Sequence, residues 1–436
     1  MDELPVVVIG AGPQGLAAAA HLRERGLQPL VLERGAAAGA AVTEWGHVRL
    51  FSAWPELIDS ASARLLESTG WEAPTTGFPT GQQWVERYLA PLAEALVPHV
   101  RLGVEVIGVS RAGRDRLVSS GRADQPFTVH VRDGAGVEQR IAARAVIDAS
   151  GTWGRPGPAG ADGLPAIGER TARQISYRIP DHREPDAHAG KHTVVLGSGA
   201  SAFNALHELT RVAAHSPGTR ITWAIRRPVS GDTFGGAGAD ELPERGALGQ
   251  RARTAVESGA VELVTGFRTA QVRTEGDQVV LVSEDGAQLE PADAVVALTG
   301  FRPDLSFLAE MRLDLDPTLE APRSIAGDID PNLHSCGSVR ATGAADLAQP
   351  EPDLYLVGMK SYGRAPTFLA LTGYEQVRSV AAALAGDREA AARVELVLPD
   401  TGVCGGAGTF DEPEAGGGCC AQATPISITR GPVDLL

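Results

Sequence analysis

Short apolar runs punctuated by glycine set the rhythm of this chain. Residues 6–9, Val-Val-Val-Ile, are apolar throughout, which predicts a strand buried on both faces. A Gly-rich turn follows, and residues 14–25 then carry small and apolar side chains at helical spacing until Gly26 stops them. Residues 29–32 are the next apolar run, so the opening reads strand, turn, helix, strand. The same order returns at 192–196 (strand), 197–202 (turn), 202–214 (helix) and 220–225 (strand). Two copies of one unit so far apart predict two nucleotide-binding domains rather than a short repeat array.

Three more apolar runs end at glycine turns: 144–148 before Gly151, 294–298 before Gly300, and 354–357 before Gly358. A helical pattern over 372–385 follows the last of them. These runs predict that the second unit is inserted into the first. The expected fold is α/β: one Rossmann-like domain over 1–165 that resumes over 325–392, and a second over 186–310. Residues 400–436 are Gly-rich with few apolar positions, and read as a mobile tail.

Composition narrows the classes. The 436 residues suit two or three domains, and 43% hydrophobic with 21% charged residues is an ordinary globular balance. A net charge of -15 argues against nucleic acid and anionic membranes as partners. The first residues have no basic stretch, and no apolar run reaches the roughly 18 residues of a membrane span, so a cytoplasmic protein is expected. The oligomeric state is left open by the sequence.

Gly10-Ala11-Gly12-Pro13-Gln14-Gly15 fits the G-x-G-x-x-G turn of dinucleotide sites. The first glycine makes the turn, the second lets backbone approach a pyrophosphate, and the third lets helix and strand pack closely. The helix N-terminus then faces the anion. Glu33, followed by Arg34, ends the next strand where a ribose hydroxyl would lie. In the second copy, Gly197-Ser198-Gly199-Ala200-Ser201-Ala202, the acidic ribose partner is replaced by Arg226 and Arg227. Guanidinium groups there suit a 2′-phosphate, so NADPH is expected over NADH.

These two turns, with Asp148-Ala149-Ser150-Gly151-Thr152 and Thr299-Gly300-Phe301-Arg302-Pro303-Asp304 as hinges, resemble the two-dinucleotide-binding-domain flavoproteins, which include flavin-containing monooxygenases and thioredoxin reductases. The resemblance spans most of residues 5–390. It implies that Gly10, Gly12, Pro13, Gln14, Gly15, Glu33, Arg34, Trp45 and Gly151 serve FAD, with Gly358 and Thr367 beside the flavin ring. Gly197, Gly199, Ala200, Ser201, Arg226 and Arg227 would hold NADPH. The segments 47–52 and 361–368 are similar to those of an actinobacterial branch of monooxygenase-like flavoproteins associated with arsenic resistance.

Two departures bear on chemistry. His182 and His188 lie between the turns without the full histidine fingerprint of flavin-containing monooxygenases, and no C-x-x-C accompanies the second turn. Cys404, Cys419 and Cys420 instead sit on the Gly-rich tail, a soft-donor set suited to a thiophilic metal or a trivalent arsenical, or to a redox dithiol. Cys336 reads as a buried small hydrophobe. Trp45, Phe51 and Trp54, with His47 and Arg49, are candidates for the flavin pocket wall. Lys360, Tyr362 and Arg364 supply cations and a phenol just past Gly358, where a cation would favour reduced flavin.

The expected function is an FAD- and NADPH-dependent oxidoreductase, oxygenating a small soft nucleophile such as a thiol, an amine or a trivalent arsenical. Two alternatives stand beside it. One is an NADPH-driven reductase relaying electrons through the tail thiols. The other is a non-catalytic, thiol-tailed metalloid binder or redox sensor.

Overall fold

The computed structural model describes residues 3–229, 233–235, 242–333, 340–365 and 368–396. Thr367, His334, Cys336 and the tail cysteines Cys404, Cys419 and Cys420 lie outside the described residues.

Two five-stranded parallel sheets carry the architecture. In the first, the order across the sheet is Leu354–Leu356, Ala145–Asp148, Val6–Ile9, Pro29–Leu32, Val100–Arg101. In the second it is Glu262–Val264, Arg220–Ala224, His192–Leu196, Ala294–Ala297, Ile175–Ser176. All strands of the second sheet fall in sequence between the fourth and fifth strands of the first. In each sheet the strand before a Gly-rich turn has the next strand in sequence on one side and a later strand on the other. Both turns therefore sit at a topological switch point, the crevice where parallel sheets bind ligands.

Why the strands are uninterruptedly apolar is visible in their packing. Val6 and Val8 face the helical layer, where Pro13–Glu24 lies against Ala370–Leu384. Val7 and Ile9 face a three-stranded antiparallel sheet, Val104–Arg111, Phe127–Asp133 and Glu138–Ala143. The second sheet repeats this plan. Val195 meets the helices Ala200–His215 and Pro243–Glu257, while Val194 and Leu196 meet the hairpin Thr269–Glu275 with Gln278–Ser283. A strand covered on both faces has no polar side, so its alternation disappears.

The helices that open at the glycine turns start slightly earlier than periodicity implies. Pro13–Glu24 begins at proline, whose missing N–H costs nothing in the first turn. Ala200–His215 begins directly after Gly199, and Ala370–Leu384 two residues before the expected start. No helix among the described residues is long and apolar enough to cross a membrane.

Candidate active site

Local sterics explain the first glycine turn. Gly10 holds φ +99°, a left-handed value. A Cβ on Gly15 would lie 1.9 Å from the Gly10 carbonyl oxygen, so only glycine lets helix and strand approach here. Gly12, in contrast, has nothing within 4 Å of where a Cβ would stand. That open space lies at the start of a helix whose first turn holds no acidic side chain. Backbone N–H groups left unpaired in a first turn attract an anion. The Glu33 carboxylate turns back over this loop, accepting from the Ala11 N–H at 2.8 Å and the Gly35 N–H at 2.7 Å. Each oxygen keeps a second lone pair for a hydroxyl donor.

A cavity of about 640 Å³ opens from this turn, within the size range of cofactor clefts. Gly10, Gly12, Pro13, Gln14, Glu33, Arg34, Trp45, Gly151 and Gly358 all line it. Gly15 does not; its part is the close packing beneath. The Gln14 side chain is buried against Gly358 and Gly373, and its Nε2 donates to the Ala370 carbonyl at 3.3 Å. Its Oε1 is buried without a hydrogen-bond partner. A buried orphan acceptor beside an open helix N-terminus fits a large polar ligand such as FAD.

Of the aromatic candidates, Trp45 and Phe51 line the cavity together with Arg49. Trp54 does not: it is 3% exposed within the core, with the Arg87 guanidinium 5.2 Å from its ring centre. Trp84 takes that place in the wall, its Nε1 donating to the Leu57 carbonyl at 3.1 Å. His47 lies in the wall of a neighbouring cavity, its Nε2 2.9 Å from the Pro180 carbonyl oxygen.

The cation after Gly358 is turned away from the cleft. Lys360 Nζ sits 2.8 Å from Asp148 Oδ2, both side chains fully buried, and donates to Ser150 Oγ at 2.8 Å. The short helical turn Gly358–Tyr362 directs it inward, over the face of Phe307 at 4.5 Å. Its effect on the cleft is indirect, through Ser150, which does line the cavity. Tyr362 is likewise buried, and burial pushes its phenol well above the ordinary value. Gly358 keeps a left-handed turn, and its N–H donates to Gln376 Oε1 at 2.8 Å.

The second turn repeats the first. A Cβ on Gly197 (φ +116°) would lie 2.1 Å from the Leu298 carbonyl oxygen, whereas Gly199 faces open space. Ala202, the third small position, is fully buried. The Trp223 indole N–H donates to the Gly197 carbonyl at 2.7 Å and fixes the turn. Arg226 follows the end of the neighbouring strand, exposed, with Nη1 donating to the Ala161 carbonyl at 3.1 Å; Arg227 beside it is half-buried. Ala200 and Ser201, the first residues of the second helix, reach the wall of the same 640 Å³ cavity.

The two passages of chain between the sheets run side by side. Gly157 N–H donates to the Gly300 carbonyl at 2.8 Å, and Arg302 N–H to the Arg155 carbonyl at 2.9 Å. Trp153 stacks on Phe301 with ring centres 5.0 Å apart, and the Arg178 guanidinium covers it at 4.2 Å. Its Nε1 donates to Glu44 Oε2 at 2.9 Å. Trp153, Glu44, Trp84 and Asp304 belong to the cavity wall and were not singled out as wall residues by the sequence reading. Burial works against the Asp304 charge, but hydrogen bonds from Ser306 hold its carboxyl below the usual range. Of the two isolated histidines, His188 is buried against Thr193, and burial lowers its pKa. His182 faces the neighbouring cavity.

Comparison with known proteins decides the family. The sequence profile described as pyridine nucleotide-disulphide oxidoreductase matches residues 7–322. The chain belongs to that family. It is therefore an oxidoreductase, with a span of similarity covering both glycine turns. Among curated relatives, a ferredoxin–NADP reductase of Frankia casuarinae is 25% identical over 367 residues, covering 83% of this chain and 92% of the relative. One from Nocardioides sp. is 26% identical over 323 residues, covering 72% and 78%. In fold, the oxidoreductase resembles a bacillithiol disulfide reductase of Bacillus cereus (TM-score 0.65, 20% identity, 88% of this chain and 99% of that one). It also resembles a mutant flavin monooxygenase of Stenotrophomonas maltophilia (TM-score 0.57, 23% identity, 88% and 99%).

Proposed function

We propose that this oxidoreductase holds FAD in the 640 Å³ cavity and is reduced by NADPH bound along the second glycine turn. One observation carries the reading: a single cavity is walled by Gly12, Pro13 and Gln14 of one helix start and by Ala200 and Ser201 of the other. Two dinucleotides, each with its pyrophosphate at its own helix N-terminus, then have their reactive ends in one space. In this reading the first domain is residues 1–165 with 325–392 and the second is 186–310, with Ile175–Ser176 added at the edge of its sheet. Glu33 would bind the adenosine ribose of FAD, and Arg226 with Arg227 the 2′-phosphate of NADPH.

The bound flavin supplies two-electron chemistry; the residues of this chain orient it, shield it and set its surroundings. The electrons leave, in this reading, by oxygenation of a small soft nucleophile: a thiol, an amine or a trivalent arsenical. Support comes from the wall, where Trp45, Leu50, Phe51, Leu57, Trp84 and Phe368 offer a largely apolar enclosure. A dry site protects reactive intermediates from water.

The test is anaerobic titration of FAD-loaded protein with NADPH, followed by admission of air with arsenite, with a small thiol, or with neither. Bleaching of the flavin, then oxygen uptake matched by oxidised product, is the expected result. Failure to retain flavin after FAD is added sinks the cofactor assignment. Bleaching followed by slow reoxidation that no nucleophile changes moves the assignment to a reductase. That second reading is favoured by the similarity to ferredoxin–NADP reductases. Its tail-relay form requires Cys404, Cys419 and Cys420, which on this reading also capture a thiophilic metal or arsenical. Serine at all three would abolish acceptor reduction and stoichiometric arsenite binding in this reading, whereas an oxygenating enzyme would keep most of its oxygen uptake.

A further inference from the structure

A second cavity, about 570 Å³, lies against the first. The two share Val48, Arg49, Leu50, Phe51 and Asn204, so one short loop and one helical residue form the partition between them. Beyond Asn204, the same face of the Ala200–His215 helix contributes His207, Glu208 and Arg211 at helical spacing. Glu244 and Arg251 enter from the Pro243–Glu257 helix.

The charge of this cavity is opposite to that of the protein. In a chain of net charge -15, its wall holds the guanidinium groups of Arg49, Arg183, Arg211 and Arg251 against two carboxylates, Glu208 and Glu244. Some of that charge is already matched. Arg183 grips Asp181 through two nitrogens. Glu208 accepts from the His182 backbone at 3.0 Å, lies against the His182 ring, and stands 3.8 Å from Arg211. Asp181, His182 and Glu208 are close enough together to share a metal ion, but each already has one of these partners.

Arg49 and Arg251 are different. The Arg49 side chain donates only to the Phe78 carbonyl, and the Arg251 side chain makes no hydrogen bond or ion pair among the described residues. Burial, and then the charge of Arg251, hold the half-buried His207 imidazole below its ordinary pKa, leaving it neutral with a donor and an acceptor to offer. Guanidinium groups without a carboxylate partner, in a recess that joins a redox cleft, are suited to a carboxylate or phosphate through charge-assisted hydrogen bonds.

We infer that this second cavity is an annex of the redox site that seats the anionic end, carboxylate or phosphate, of a small organic substrate. The substrate's soft atom then passes the Val48–Phe51 partition toward the flavin cavity. This rests on the proposed function for the identity of the neighbouring site, but anion binding in the annex is measurable without turnover.

The experiment uses FAD-loaded full-length protein and two thiols that differ by a carboxylate, 3-mercaptopropionate and 2-mercaptoethanol, titrated calorimetrically. The expected result is at least tenfold tighter binding of the carboxylate thiol. That preference should be lost in Arg251→Gln and suppressed by inorganic phosphate in the unsubstituted protein; Arg49→Gln serves if the first variant does not fold. Equal binding of the two thiols overturns the annex. So does a preference that survives both substitutions, or carboxylate binding that NADPH displaces competitively, which would make the cavity part of the nucleotide site. Absence of NADPH bleaching in the same preparation would count against the proposed function alone, because the calorimetric preference does not depend on it.

Discussion

Lys360 and Asp148 form an ion pair shielded completely from solvent, 2.8 Å apart beneath Ser150. Asp148 ends a strand of the first sheet, and Lys360 follows the fifth strand of that sheet, so the pair ties together two segments more than 200 residues apart in sequence. Removing one partner strands the other charge without water. Lys360→Met is expected to cost about 3–5 kcal/mol of stability, read as a lowered urea midpoint. The double variant with Asp148→Asn should recover much of that loss. A Lys360→Met midpoint equal to that of the parent would show that the pair is not the fastening described.

Gly12 and Gly15 make opposite predictions for the same substitution. Gly15→Ala forces a Cβ to 1.9 Å from a backbone oxygen, so the protein should fail to fold stably even without ligand. Gly12→Ala meets no atom of the chain. Its ligand-free stability should stay within about 0.5 kcal/mol of the parent, while FAD affinity falls at least tenfold. Thermal melts with and without FAD separate the two cases. Unimpaired FAD binding in Gly12→Ala would move the pyrophosphate elsewhere.

Arg226 and Arg227 set the expected coenzyme preference. Replacing both with alanine removes charge-assisted hydrogen bonds worth roughly 1.5–3 kcal/mol, or about a ten- to hundredfold loss of NADPH affinity. NADH affinity should hardly move. The ratio of the two dissociation constants, measured by flavin reduction, is the readout; a parallel loss for both coenzymes would contradict a 2′-phosphate role.

Asp181 carries a pH dependence whose sign follows from its partner. The hydrogen bonds from Arg183 draw its pKa from 3.8 down to about 2 in the folded protein. A depressed carboxylate stabilises the fold fully above its unfolded pKa, and that contribution fades as the pH falls from about 4 through about 2. Between these limits, acid should unfold the parent with a steeper pH dependence than Asp181→Asn. Identical acid unfolding curves would show that the Arg183 contact adds nothing.

Both glycine turns were legible in the sequence because each is local. A strand, a turn and a helix within 25 residues reveal themselves by periodicity, and the structure places both at switch points. The second piece of the first sheet was legible too, from the apolar run before Gly358. The cavity wall was harder to read. Trp84 and Trp153 reach it from segments far along the chain, and nothing in their own neighbourhood marks them. Trp54 had the right neighbourhood and the wrong direction: the short Trp54–Glu56 turn points it into the core. The position of Lys360 just past Gly358 suggests a cation for the flavin, but its direction depends on Asp148, which no local pattern connects to it. The charged annex was missed for the same reason, since its guanidinium groups come from four separate parts of the chain.

The paired passages at Arg155–Gly157 and Gly300–Arg302 have a consequence for how the protein can be taken apart. Chain enters and leaves the second sheet at neighbouring points, so the ends of the intervening segment already meet. Joining 155 to 302 through a short turn would excise that segment without pulling any strand of the first sheet out of place, and the piece removed would have adjacent termini. Segments with adjacent termini are the ones that tolerate transplantation between hosts. The segment that carries the second sheet is, in that sense, a removable cartridge.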